Sequence, residues 1–175
     1  MQLLRIFLII SISLLSCSGK TKKIRHPAEI KKGTISTLHC INAPMEDYAL
    51  YLPEKYDASI KHPVLIFLDS HGKGNYPVGL YKSLSEKYGI IVAGSNKIKN
   101  GMQMNDVFSV YLDLLYDLKK RFSVDTGMIF LSGFSGGARM ASIIALSHTN
   151  ISGVIACSAA MDPAMLKLNP AFPYV

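Results

Sequence analysis

Residues 131–141 read LSGFSGGARMA, a serine between glycines directly after an apolar run. Its serine, Ser135, stands two positions after Gly133 and two before Gly137, directly behind the apolar run at residues 128–131. A nucleophile elbow needs a serine on a tight turn between a buried strand and a helix. Glycines on either side let the strand and the helix approach without a Cβ clash. The stretch therefore predicts Ser135 as a nucleophile. The alternative is that Ser135 only caps the following helix, but a helix cap needs neither flanking glycine.

An elbow serine also needs donors for the negative charge that develops on its substrate. The N–H of Gly136, at the start of the helix, is expected to face that oxyanion. A second donor is expected from the loop after an earlier strand, through the backbone N–H of Gly72 or Lys73. The side chain of His71 is expected to brace the same loop by a hydrogen bond.

Strand and helix patterns alternate through the rest of the chain. Because alternation at short intervals is typical of parallel βαβ units, the sequence predicts an α/β fold, with a doubly wound, mostly parallel sheet covered on both faces. Predicted strands lie at residues 48–53, 64–68, 90–93, 128–131 and 153–159, and predicted helices at 79–88, 107–122 and 137–147.

The second of these helices has the clearest periodicity. Its apolar residues recur at three- and four-residue spacing, which indicates a face buried in the core. Asn105 or Asp106 is expected to be its N-cap. Lys119, Lys120 and Arg121 fall at its end, where the helix dipole favours cations.

The N-terminus predicts export. Residues 1–16 combine Arg5 with a short apolar run, as in a secretory signal peptide. The end of this run resembles the lipobox of bacterial lipoproteins, which implies that Cys17 is lipidated and holds the protein on a membrane. An ordinary signal peptide is the alternative. Residues 17–33 are basic and read as a tether, and residues 34–175 as one partial catalytic domain.

Composition limits the remaining possibilities. The 175 residues are 49% hydrophobic and 18% charged, which suits one globular domain. Much of the net charge of +7 lies in the tether, so we expect no nucleic-acid partner. Cys40 and Cys157 are expected to stay unpaired, with Cys157 buried. No histidine and cysteine spacing predicts a metal site.

The motifs together resemble the α/β-hydrolase superfamily, most closely its polyhydroxybutyrate depolymerase and feruloyl esterase-like branch, which is related to dienelactone hydrolases. The resemblance covers roughly residues 45–162. It implies hydrolysis of a small-molecule or polymeric ester through an acyl-enzyme on Ser135, without a cofactor. Its motifs are Tyr51-Leu52-Pro53, His71-Gly72, Asp106, Val124-Asp125 and residues 133–141.

The same resemblance leaves the proton-transfer residues unaccounted for. Its chain order is serine, then acid, then histidine. The only histidine and the only acidic residue after Ser135 are His148 and Asp162, and their positions suit neither role. His71 is a less favoured base. We therefore expect a truncated esterase with little activity as written, in which the strand at residues 153–159 is an exposed edge. The alternatives are a ligand-binding pseudoenzyme, and an acyltransferase or esterase completed by another chain. The sequence leaves the oligomeric state open.

Overall fold

The computed structural model describes residues 30–159. The predicted signal peptide, Cys17, most of the tether and Asp162 lie outside this range.

The described residues form a six-stranded sheet in the order β1-β2-β4-β3-β5-β6. The pairs β1–β2 and β2–β4 are antiparallel, whereas β4–β3, β3–β5 and β5–β6 are parallel. This arrangement confirms the predicted mostly parallel α/β sheet. The strands are β1 (Ile35–His39), β2 (Asp47–Tyr51), β3 (His62–Leu68), β4 (Ile91–Ser95), β5 (Val124–Phe134) and β6 (Gly153–Cys157).

Four helices connect the strands of the described range. They are α1 (Asn75–Leu80), α2 (Lys82–Tyr88), α3 (Met104–Arg121) and α4 (Gly136–Ser147).

Two helix predictions need correction. The single helix expected at residues 79–88 is two helices, because Tyr81 leaves helical geometry at φ −102° and ψ 12°. Neither Asn105 nor Asp106 is the N-cap of α3. Gln103 takes that position in an extended conformation, and its carbonyl accepts the N–H groups of Asp106 and Val107 at 3.0 and 3.1 Å.

Alternating residues of the strands build two cores, one on each face of the sheet. Val64, Ile66 and Leu68 of β3 face the larger core, into which α3 and α4 pack. Leu65 and Phe67 face the smaller core, together with residues of α1 and α2. Helices thus pack on both faces, as predicted. Because β3, β4 and β5 are parallel, the loops that follow them lie at the same end of the sheet, where the carboxyl ends of the strands meet.

A buried carboxylate ties α3 to the first two strands. Asp117 is fully buried and accepts hydrogen bonds from the hydroxyl of Tyr48 at 2.6 Å and the backbone N–H of Ile41 at 2.9 Å. The Nε–H of Arg121 donates to the same carboxylate at 2.8 Å. Every partner comes from a different part of the chain or a different turn of the helix, so this cluster holds α3 against the sheet.

Both cysteines of the described range are free thiols, as predicted. Cys40 is buried, but Cys157 is exposed, so the prediction of a buried Cys157 was wrong. The reason is its place at the end of β6, an edge strand whose partner in the described range is β5. No helix in residues 30–159 is long and apolar enough to cross a membrane.

Candidate active site

Ser135 occupies a sharp, strained turn between β5 and α4. Its backbone has φ 53° and ψ −117°, a conformation that non-glycine residues rarely adopt. Its N–H donates to the carbonyl of Cys157 on the neighbouring strand at 2.9 Å. Its side chain makes no capping hydrogen bond, although it stands at the N-cap position of α4. The geometry thus gives no support to the helix-capping alternative. Ser135 is also exposed to solvent.

The glycines beside Ser135 allow the close packing that the motif predicts. A Cβ atom at Gly133 would lie 2.5 Å from the carbonyl oxygen of Gly137, and one at Gly137 would collide with the carbonyl oxygen of Leu68. No side chain fits at either position. The start of α4 therefore lies directly against the ends of β5 and β3.

The loop after β3 differs from the prediction. Asp69 Oδ1 accepts the backbone N–H groups of His71 and Lys73, both at 2.9 Å, and the Asp69 carbonyl accepts that of Gly72 at 3.2 Å. An aspartate that accepts the amide two residues ahead is a common way to close a turn, and here the same oxygen also accepts the amide four residues ahead. The N–H groups of Gly72 and Lys73, the expected oxyanion donors, therefore point back into their own loop.

The side chain of His71 is largely solvent-exposed, at 75%. Its Nδ1 lies 3.2 Å from Ser70 Oγ, within hydrogen-bond range, and 3.9 Å from Asp69 Oδ1. The backbone of His71 also forms an isolated bridge to Lys99. These contacts join the loop after β3 to the loop after β4.

The loop after β4 contributes a residue that the sequence reasoning missed, Asn100. Its backbone N–H donates to the carbonyl of Ser70 at 2.9 Å. Its side chain lies over Gly136, where an added Cβ would collide with Oδ1 and lie 3.1 Å from Nδ2. The available signal was its position, since polar residues after a parallel strand gather at the edge where ligands bind.

Two other histidines have structural surroundings. His62, at the start of β3, is buried, and its ring nitrogens lie 2.9 Å from the Gly89 carbonyl and 2.8 Å from the Asp57 carbonyl. His148 follows α4 and packs between the rings of Phe108 and Tyr111. Within residues 30–159 no histidine forms a hydrogen bond with Ser135. The same range holds no group of three or more His, Cys, Asp or Glu residues that could bind a metal ion.

A cavity of about 610 Å³ lies beside the elbow, between α1 and the sheet. Its wall includes Ser132, Gly133 and Phe134, the three residues that precede Ser135. Ser70, His71 and Cys157 line its polar margin. The apolar wall includes Phe67, Leu68, Tyr76, Pro77, Leu80, Tyr81 and Phe134. The cavity can therefore hold an apolar group next to the serine.

Comparison with solved structures agrees with this architecture. A thermostable esterase superimposes on 81% of this chain with a TM-score of 0.62 and 14% identity. The chain has the α/β-hydrolase fold. An acetyl xylan esterase from Aspergillus awamori (TM-score 0.56, 17% identity) and a poly(3-hydroxybutyrate) depolymerase from Bordetella parapertussis (TM-score 0.55, 12% identity) each match 70% of the chain.

The chain spans 44% to 51% of the length of those three structures. No protein-family model matches its sequence, and no curated protein does. The likeness accordingly rests on the fold.

Proposed function

We propose that the chain carries the nucleophile of a serine carboxylic-ester hydrolase. The observation that carries the proposal is the backbone of Ser135, which is held at positive φ and exposed at the start of α4 without a capping hydrogen bond. Strain of this kind costs free energy and is found mainly at functional sites. Solved structures of the same fold that are named as esterases and as a depolymerase support an ester as the substrate.

The proposed chemistry begins with attack of Ser135 Oγ on an ester carbonyl. A carbon–oxygen bond forms, the carbonyl electrons move to its oxygen, and the serine proton passes to water, since no histidine in residues 30–159 hydrogen-bonds Ser135. Collapse of this intermediate expels the alcohol and leaves an acyl-enzyme, which water then hydrolyses. Gly136 supports the first step, because the first residue of a helix has no intrahelical acceptor for its N–H.

We expect steady-state hydrolysis by the purified chain to stay near background, since no histidine in residues 30–159 hydrogen-bonds Ser135. The decisive test is therefore acylation. The chain is incubated with p-nitrophenyl acetate, and the acetylated peptide is located by tandem mass spectrometry. All proteins in the test carry Cys157→Ala, because an exposed thiol lies beside the elbow and also accepts acyl groups.

We expect acetylation at Ser135. Ser135→Ala should abolish it, and Ser132→Ala should leave it intact. Ser132 is a suitable control because it is buried in the same strand, where its hydroxyl donates to the Ile155 carbonyl at 3.1 Å. Equal acetylation of the parent and the Ser135→Ala variant would contradict the proposal.

The cavity favours a second candidate, a ligand-binding protein that keeps the elbow as a scaffold. In that case an apolar fluorescent probe binds in the cavity and Phe134→Ser weakens this binding. Ser135 is then not acylated. Acylation of Ser135 at the same rate in the parent and in Phe134→Ser would argue against this candidate.

We also propose that the protein is exported and anchored through lipid on Cys17. The support is the sequence pattern alone, since Cys17 lies outside the described residues. Metabolic labelling with a fatty-acid analogue in a bacterial host tests it. Label that persists in Cys17→Ser would contradict the anchor.

A further inference from the structure

We propose that the side-chain amide of Asn100 is a hydrogen-bond donor to the oxyanion formed at Ser135, next to the N–H of Gly136. This inference rests on the proposed function and names a residue that completes its site.

The first reason is that the loop after β3 has no amide to spare at the expected positions. The N–H groups of His71, Gly72 and Lys73 all donate to Asp69. Turning two of them toward a substrate would leave the Asp69 carboxylate without those partners, and unmade hydrogen bonds to a charged group are costly. An oxyanion at Ser135 therefore calls for a donor other than these three N–H groups.

The second reason is the location of Asn100. Its side chain touches Gly136, with Cγ 2.8 Å and Nδ2 3.1 Å from the point where a Cβ would stand. Any larger residue at position 136 would displace it. Asn100 is consequently next to the N–H of Gly136, the other donor assigned to the oxyanion.

The third reason is that Asn100 is held firmly by its backbone while its side chain is free to donate. Ser95 Oγ accepts the N–H groups of Lys97 and Ile98 at 3.1 and 3.0 Å, and Ile98 is fully buried. The Asn100 N–H is anchored on Ser70. Within residues 30–159 its side chain makes no hydrogen bond, and the residue is exposed. A half-turn of the amide exchanges Oδ1 and Nδ2 without breaking a hydrogen bond within the described residues, and the amide nitrogen has two N–H groups to donate.

Phenylboronic acid is the probe that tests this role, because its adduct forms at equilibrium and does not depend on a general base for its stability. Boron takes on Ser135 Oγ, the serine proton passes to solvent, and the resulting tetrahedral anion places an oxygen where the oxyanion would lie. Boron NMR reports the tetrahedral adduct and gives its dissociation constant at neutral pH.

We expect Asn100→Ala and the nearly isosteric Asn100→Asp to weaken the adduct about ten- to a hundredfold, the range for one hydrogen bond to a charged group. Lys97→Ala, an exposed residue of the same loop, is the matched control and should bind like the parent. Circular dichroism checks that each variant is folded. Asn100→Asp keeps the side-chain volume, so a cavity cannot account for its loss, and Asn100→Ala adds no charge, so repulsion of the anionic adduct cannot account for its loss.

Two results would overturn the inference in different ways. If both Asn100 variants bind like the parent while Ser135→Ala does not bind, Asn100 is no donor and the proposed serine chemistry stands. If the parent binds no more tightly than Ser135→Ala, there is no serine adduct, and the proposed function fails together with the inference.

Discussion

The three glycines around Ser135 each accommodate a different neighbour. Gly133 meets the backbone of Gly137, Gly137 meets the carbonyl of Leu68, and Gly136 meets the side chain of Asn100. The first contact follows from the motif, because it joins residues four apart in the chain. The other two involve residues more than thirty positions away and could not be predicted from the motif.

Alanine at Gly133 or Gly137 should destabilise the fold. Each new Cβ meets backbone atoms, which cannot move aside as a side chain could, so we expect a loss of about 2–4 kcal/mol in the free energy of unfolding, at the upper end of overpacking costs. Urea denaturation followed by circular dichroism measures it. The matched control is Gly79→Ala in α1, where the nearest atom is Ile35 Cδ1 at 3.7 Å. The prediction is wrong if all three variants unfold at the same urea concentration.

Glu46 makes stability depend on pH in the acidic range. Its Oε2 is buried without a partner among the described residues. Burial raises the pKa of this carboxyl, the negative charge of Asp113 raises it further, and Lys97 partly offsets them. A raised pKa means that the folded state favours the protonated form. Its favourable contribution is present below the unfolded-state pKa of about 4.3 and is lost as pH rises through the folded-state pKa.

Glu46→Gln should therefore raise the urea midpoint at neutral pH, where the wild-type carboxylate is charged, and the gain should disappear below about pH 4. Glu54→Gln, at an exposed position, is the control. A gain of equal size at both pH values would show that charge is not the cause.

Among the elements, α3 is joined to the sheet by a buried carboxylate that its helical pattern did not predict. Its apolar face is evident from the spacing of residues such as Val107, Val110 and Leu114. Asp117 lies on the same buried side, however, and periodicity alone would have placed a charged residue in solvent. It is accommodated there by Tyr48 and Ile41, which are about seventy residues away in the chain.

Removing the Asp117 carboxylate should cost about 3–5 kcal/mol of unfolding free energy, because it removes the buried ion pair with Arg121 and leaves the Tyr48 hydroxyl without its acceptor. Asp117→Ala tests this in urea, and Asp117→Asn, which keeps an acceptor oxygen, should lose less. The side chain of Asp113, one turn earlier, makes no hydrogen bond in the described range, and its charge disfavours the ionised form of Glu46, so Asp113→Asn should lose no stability. Equal stability of the Asp117 and Asp113 variants would contradict a role for the cluster.

At the scale of the molecule, the sheet is covered unevenly. Helices α1 and α2 pack over the smaller core near β2, β4 and β3, while the same face of β5 and β6 exposes Phe134 at 63% and Ile155 at 39%. The sequence predicted an exposed edge at β6, and within the described residues β6 pairs on one side with β5. An apolar sheet face beside an open edge favours association.

The purified chain should therefore self-associate with rising concentration. Ile155→Lys should shift sedimentation velocity profiles toward the monomer, because it places a charge on the exposed face of the edge strand. Ile60→Lys, which changes a 55% exposed isoleucine in the connection between β2 and β3, should leave the profiles unchanged. Identical profiles for both variants and the parent would exclude association through this face.

The sequence by itself determined the alternation of strands and helices, the elbow at Ser135 and the buried stripe of α3. These are local properties, because strand and helix periodicity and the turn of a glycine-flanked serine depend on residues a few positions apart. The N-cap of α3 at Gln103 and the turn that Asp69 closes with the N–H groups of Gly72 and Lys73 are local as well, although the motifs did not indicate them. The exposure of Cys157 and the approach of Asn100 to Gly136 were set by the tertiary structure. Asn100 reaches Gly136 because a parallel sheet brings the carboxyl ends of distant strands together, so the neighbours of a loop residue there depend on position in space and not on spacing in the chain.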